Sequence, residues 1–180
     1  MNTPRWLAAL CLALAAFLSG CAAPQPSDYA AERPLLSLRD YFNGRVEAHG
    51  MFQNRNGKVV KRFTVVMDCS WQGNDGVLDE RFSYSDGTTS RRVWKLKALA
   101  DGRFTGTADD VVGTAQGEQR GNAFHWNYTL KQPVDDSVYE VQMDDWMYLV
   151  DDRVMLNRAV MRKFGVTLGA VTLSFNKAKP

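Results

Sequence analysis

Two histidines and three cysteines in 180 residues leave little material for a metal cluster or a disulfide framework. A basic excess is also missing. The 22 Lys+Arg stand against 20 Asp+Glu, without the basic stripe of a dedicated nucleic-acid binder. Only 6 Pro, together with 23% charged and 45% hydrophobic residues, exclude a disordered chain. No apolar run reaches the roughly 20 residues a helix needs to cross about 30 Å of hydrocarbon. Catalytic signatures are absent as well: there is no Gly-x-Ser-x-Gly elbow, no His-Glu-x-x-His pair and no phosphate-binding P-loop. No metal, no cofactor and no nucleic-acid partner are expected, and the chain does not read as an enzyme.

What is present begins with an address. Met1 to Arg5 is a short, positively charged start, and Trp6 to Leu18 runs thirteen residues without a polar group. That length fits the core of a signal peptide. The run ends in Leu18-Ser19-Gly20-Cys21, which matches the lipobox of bacterial lipoproteins: an apolar residue, two small ones, then the cysteine that is acylated. Residues 1–20 therefore read as a lipoprotein signal peptide, residues 21–36 as the lipidated N-terminus and a tether, and residues 37–180 as the folded domain. More than one acyl chain on Cys21 gives firm membrane anchoring, which a single chain does not. Ala22 follows, where an aspartate would resemble an inner-membrane retention signal, so the expected location is the outer membrane, facing the periplasm. Cys11 leaves with the signal and Cys21 is acylated. Cys69, in phase with apolar neighbours, remains as a lone thiol and reads as a small buried hydrophobe.

From Asn43 onward the pattern has a period of two. Phe63, Val65, Met67, Cys69 and Trp71 share one face of a strand, with Arg62, Thr64, Asp68 and Ser70 on the other. Phe124, Trp126, Tyr128 and Leu130 alternate with His125, Asn127, Thr129 and Lys131, and Tyr139, Val141 and Met143 with Glu140, Gln142 and Asp144. Trp94 and Leu96 sit among Arg92, Lys95 and Lys97. Such alternation marks antiparallel strands with one buried and one wet face. Turn residues punctuate it at Asn54–Gly57, Gly73–Gly76, Ser85–Gly87, Ala100–Gly102, Gly121-Asn122 and Asp151-Asp152. The expectation is an all-β fold, an antiparallel up-and-down meander of eight to ten strands closed into a lipocalin-like barrel, with a β-sandwich as the alternative. A short helix around Leu36 to Tyr41 is placed to plug one end. The polar outward phase argues against a membrane-spanning barrel, whose outer band is apolar.

Alternation breaks at Asp144-Asp145-Trp146-Met147-Tyr148-Leu149, where both phases become apolar from Trp146 onward. Either a bulge near Asp144-Asp145 shifts the phase or both faces are covered. Asp145, Trp146, Asn157 and Arg158 are the candidate ligand-binding residues, with Asp145 and Arg158 facing each other across a hairpin. The competing reading of the same residues is a buried polar network that sets strand register. Neighbours on a strand point to opposite faces, so Asp144 and Asp145 are not expected to act as a pair on one bond. His125 falls on the wet face and reads as a surface histidine. The abundant Trp, Phe and Tyr of the inward phase either line a cavity or fill the barrel.

Several strings resemble a known family. Asp40-Tyr41-Phe42-Asn43-Gly44, Gly50-Met51-Phe52-Gln53, Arg62-Phe63 and Arg91-Arg92-Val93-Trp94 are similar to the lipoproteins grouped as domain of unknown function 3833. Gly106 to Gly113, Asp144 to Tyr148 and Lys163-Phe164-Gly165 extend the resemblance over nearly the whole chain after the signal. The resemblance implies a Gram-negative lipoprotein and a link to gene clusters for fatty-acid modification, and it carries over no catalytic residues. The expected function is an outer-membrane lipoprotein whose periplasmic barrel binds or shuttles a hydrophobic, fatty-acid-like ligand. The alternative is a ligand-free structural or docking lipoprotein for an envelope protein complex.

Overall fold

Period-two sequence separated by short polar turns folds as consecutive hairpins, because each strand finds its nearest neighbour at the least loop-closure cost. The computed structural model describes residues 23–134 and 136–177. Its first five strands are β1 (Gly44–Asn54), β2 (Val59–Gln72), β3 (Asp75–Tyr84), β4 (Thr89–Ala98) and β5 (Arg103–Thr107). The other five are β6 (Val111–Arg120), β7 (Ala123–Val134), β8 (Ser137–Leu149), β9 (Val154–Lys163) and β10 (Val166–Lys177). Every strand pairs antiparallel with its sequence neighbours, and β1 also pairs with β10, from Val46↔Lys177 to Asn54↔Gly169. The sheet is a closed ten-stranded up-and-down barrel without free edges, as the alternation and turn spacing predicted; the sandwich alternative is set aside.

The core lies inside the barrel. Val65, Met67 and Cys69 of β2, Trp94 and Leu96 of β4, and Trp126 and Leu130 of β7 are all buried. Charged side chains ride on the outside, where Arg91 grips Asp79 at 2.8 and 2.9 Å and Arg81 pairs with Asp68. Glycine makes room for the largest rings. A Cβ on Gly117 would lie 2.2 Å from the Trp126 indole, and one on Gly106 would lie 2.8 Å from it. Among the described residues no helix is long and apolar enough to cross a membrane.

One helical turn, α1 (Leu38–Tyr41), closes an end of the barrel. The Ser37 hydroxyl accepts from the Asp40 amide at its start. Leu38 and Phe42 are each 2% exposed, and Phe42 meets Phe175 edge-on with ring centroids 5.4 Å apart. Trp71 Nε1 donates to the Phe42 carbonyl at 2.8 Å, and the Tyr41 hydroxyl donates to the Arg153 carbonyl at 2.8 Å. The plug is thus tied to three strand ends, in agreement with the sequence expectation.

The segment read as a tether behaves differently. Cys21 and residues 1–20, read from sequence as a signal peptide, lie outside the described residues, but from Pro26 onward the chain is seated on the barrel. Pro26–Tyr29 forms a 3-10 turn against β6 and β7. The Tyr29 ring packs on Trp146 and Tyr148, centroids 5.5 and 5.2 Å away, and the two tyrosine hydroxyls are 3.2 Å apart. The Leu36 amide donates to the Gly121 carbonyl at 2.8 Å. Gly121 has φ +53°, and a Cβ there would fall 1.7 Å from the Tyr29 carbonyl oxygen. Only glycine lets the two backbones come this close.

Candidate functional site

A cavity of about 700 Å³ occupies the barrel interior, within the range typical of small-molecule sites. Its walls are mostly apolar: Phe63, Met67, Leu96, Phe124, Met143 and Val171 are representative, and Leu38 and Phe42 form its floor. The opposite end carries the β1–β2, β3–β4, β7–β8 and β9–β10 turns, and Lys61, Tyr84, Tyr139 and Lys163 line it there. Lys61 Nζ is 2.7 Å from the Asp86 carboxylate and 4.7 Å from the Tyr84 ring centroid; Lys163 Nζ stands 4.8 Å from the Tyr139 ring. Beyond them the hairpin tips expose Val60, Val138 and Phe164, the last 89% exposed. The mouth therefore combines basic groups with an apolar rim.

One polar cluster interrupts the apolar wall, and strand phase puts it there. Glu80 follows Leu78 and precedes Phe82 on the inward face of β3, and Arg92 precedes Trp94 on the inward face of β4. Tyr128 of β7, Asp145 of β8 and Asn157 of β9 face the same space. Arg92 donates to Asp110 through Nε at 2.9 Å and an η nitrogen at 2.6 Å, and its other η nitrogen lies 4.0 Å from Glu80. Asn157 Nδ2 donates to Asp145 Oδ1 and, at 2.9 Å, to the Trp146 carbonyl. The Tyr128 hydroxyl lies 3.5 Å from Asp145 Oδ2, and its ring meets Trp94 edge-on.

The electrostatics follow from burial. Loss of solvation lifts the Glu80 carboxyl to about 7, against the pull of Arg92. Asp145 is lifted to about 6 for the same reason, although Asn157, Tyr128 and Arg92 favour its charged form. Burial also raises the Tyr128 phenol well above its ordinary value, with the Asp145 charge adding to it. Burial works against the Arg92 charge, but Glu80, Tyr128 and Asp110 hold the guanidinium protonated. One cation thus faces three carboxyl groups in a low-dielectric setting, and the two buried ones titrate close to neutrality.

Of the four residues expected to meet a ligand, the structure brings two together. Asp145 and Asn157 are buried at 6% and 3% exposure and bonded to each other inside the cavity. Trp146 and Arg158 are on the outside, paired across the ladder with each other. Neither lines the cavity, and the expected opposition of Asp145 to Arg158 is corrected, because Asp145 stands across from Ala159. The register from Gln142 to Leu149 is unbroken, so no bulge shifts the phase. Both faces are apolar because both are covered. Trp146 stacks on His125 at 4.0 Å, and Tyr29 covers both Trp146 and Tyr148. His125 is outward as expected, yet only 20% exposed; its Nε2 is 2.8 Å from Asp144, which Arg162 also holds at 2.7 Å.

Glu80, Arg92 and Asp110 escaped the sequence reading, which grouped Arg92 with the wet lysines of β4. The available signal was phase: Arg92 is two residues before Trp94, and Glu80 is two residues from Leu78 and from Phe82. Asp110 carried no such signal, since it sits in the turn before β6.

A closed antiparallel barrel, floored by a helical turn and hollow around a buried polar cluster, is lipocalin-like in architecture. Within that class, the chain belongs to the family described as Protein of unknown function (DUF3833), which it matches over residues 15–177. Among solved structures it is similar to the S-type phycobiliprotein lyase CPES from Guillardia theta. The TM-score is 0.61 at 9% identity, covering 87% of this chain and 99% of that one. At that identity the likeness concerns the fold. No curated protein matches the chain.

Proposed function

We propose that this protein is a lipid-anchored outer-membrane lipoprotein, facing the periplasm, whose barrel holds and shuttles a hydrophobic, lipid-like molecule. The observation that carries the reading is the interior: about 700 Å³ of mostly apolar space where a barrel of this size can also be filled by its own side chains. Closed barrels of this architecture commonly hold small ligands, and a phycobiliprotein lyase shares the fold. The anchor rests on the lipobox ending at Cys21. Asp145 and Asn157 contact the ligand, while Trp146 and Arg158 act from outside the cavity.

Native mass spectrometry of the protein purified from cells tests the carrier reading. A co-purifying lipid, or displacement of a fluorescent fatty-acid probe, is the expected result; neither appearing ends it. Incorporation of a palmitate analogue in wild type and its loss in Cys21→Ser tests the anchor. A second reading, a docking lipoprotein for an envelope complex, draws on the exposed Val60, Val138 and Phe164 at adjoining hairpin tips. It predicts that Phe164→Glu abolishes co-purification of a protein partner and that cavity substitutions do not.

A further inference from the structure

With both of its carboxyls ionised, the cavity's polar wall offers mainly hydrogen-bond acceptors. Glu80 is 9% exposed, and its carboxylate makes no hydrogen bond among the described residues; its nearest cation, Arg92, is 4.0 Å away. That distance is beyond hydrogen-bond reach. Asp145 keeps one oxygen for Asn157, and the other has only the Tyr128 hydroxyl at 3.5 Å. Arg92, the single cation here, is engaged by Asp110 through two of its nitrogens. An acceptor that lines a cavity and has no protein partner is free to take a hydrogen bond from a molecule bound there. Among the described residues no three metal-ligating side chains are grouped to hold an ion, and an O–H or N–H donor of a bound organic molecule suits these acceptors.

We propose that the ligand carries a hydroxyl, amide or amine group on its buried portion, and that Glu80 and Asp145 accept its hydrogen bonds. This rests on the carrier reading and names the ligand class: an apolar chain with an O–H or N–H donor along its length. A carboxylate or phosphate in that position meets two carboxylates and an arginine that Asp110 already holds through two of its three nitrogens, and like charges at such range oppose binding. An anionic end belongs at the mouth instead, beside Lys61 and Lys163.

The test compares ligands that share a terminal carboxylate and differ only along the chain. Stearic acid, a series of stearic acids with one hydroxyl walked along the chain, and the matching ketones compete against a fluorescent fatty-acid probe. The full-length protein is used at about pH 8, above the titration of both carboxyls. At one or more positions the hydroxy acid is expected to bind about tenfold more tightly than stearic acid, and the ketone, an acceptor only, more weakly. In Glu80→Met the hydroxyl advantage falls, while far-UV circular dichroism keeps the wild-type strand signal, which shows that the barrel is intact. Stearic acid binding as tightly as every hydroxy acid overturns the donor assignment and leaves the carrier reading standing. Failure of the whole series to displace the probe removes the carrier reading itself, and this inference with it.

Discussion

Arg92 reaches across the barrel wall from β4 to Asp110, joined by hydrogen bonds of 2.9 and 2.6 Å. This pair and the neighbouring Glu80 make one charge system. Removing the guanidinium leaves two carboxylates without their cation. Arg92→Met is therefore expected to destabilise the protein by about 1–2 kcal/mol, less than the cost of stripping one partner from a fully buried pair, because the Asp110 side chain is 38% exposed and screened by solvent. Urea unfolding of the variant measures it. A loss below about 0.5 kcal/mol would place the pair with ordinary surface bridges.

Acid–base behaviour carries a sign that can be checked. Glu80 and Asp145 hold their protons more tightly in the fold, near 7 and 6, than at their ordinary 4.5 and 3.8. Their contribution is full below about pH 4 and is lost as pH rises through about 7. Asp144 and Asp151 are held low, and their contributions fade only as pH falls further. Urea midpoints of the ligand-free protein should fall between pH 4.5 and 7, and Glu80→Gln should flatten the slope. Midpoints that climb through the whole window contradict the assignment.

Cys69 is expected to be inert in the native state. Burial pushes its thiol up to about 12, with the Glu80 and Asp68 charges adding to it, so little thiolate exists at neutral pH. Iodoacetamide labelling mapped by peptide mass should reach Cys69 only under denaturing conditions. Rapid labelling of the folded chain would show that the β2 face opens.

Gly117 tests the packing of the aromatic wall. A methyl group there cannot coexist with the present Trp126 position, 2.2 Å from the new Cβ. Gly117→Ala should cost about 1–3 kcal/mol as overpacking and shift the indole emission. Unchanged fluorescence together with wild-type stability would mean the ring has another seat.

The outer aromatic stack separates positioning from binding. Trp146→Ala removes the seat of Tyr29 and should raise proteolysis within residues 23–36, while probe affinity in the cavity stays within about twofold. Asn157→Leu, which strips Asp145 of its donor, should instead change probe affinity several-fold. Limited proteolysis and fluorescence titration of both variants distinguish the two faces of β8 and β9.

Much of this architecture can be read from residue order. Phe63 to Trp71 and Phe124 to Leu130 alternate because a strand's side chains alternate, and turn residues at Gly57, Gly87 and Gly121 mark where the chain must reverse. Those local rules determine strands, hairpins and a meander, and with so many twisted strands a closed barrel. They also separate Asp144 from Asp145, one outward and one inward.

Local order does not decide what lies against the outer face or what meets across the interior. Trp146 reads as a cavity residue because it is apolar and adjacent to Asp145, yet its partner is Tyr29, more than a hundred residues earlier in the chain. Glu80, Arg92, Tyr128, Asp145 and Asn157 come from five strands, and only closure of the sheet brings them together. Whether the inward aromatics fill the barrel or leave room depends on side-chain packing in three dimensions. The sequence by itself determined the barrel and its polar–apolar alternation, since both follow from strand geometry. The hollow interior and its acceptor-rich wall were decided by tertiary structure, because they arise from contacts between residues that no local period relates.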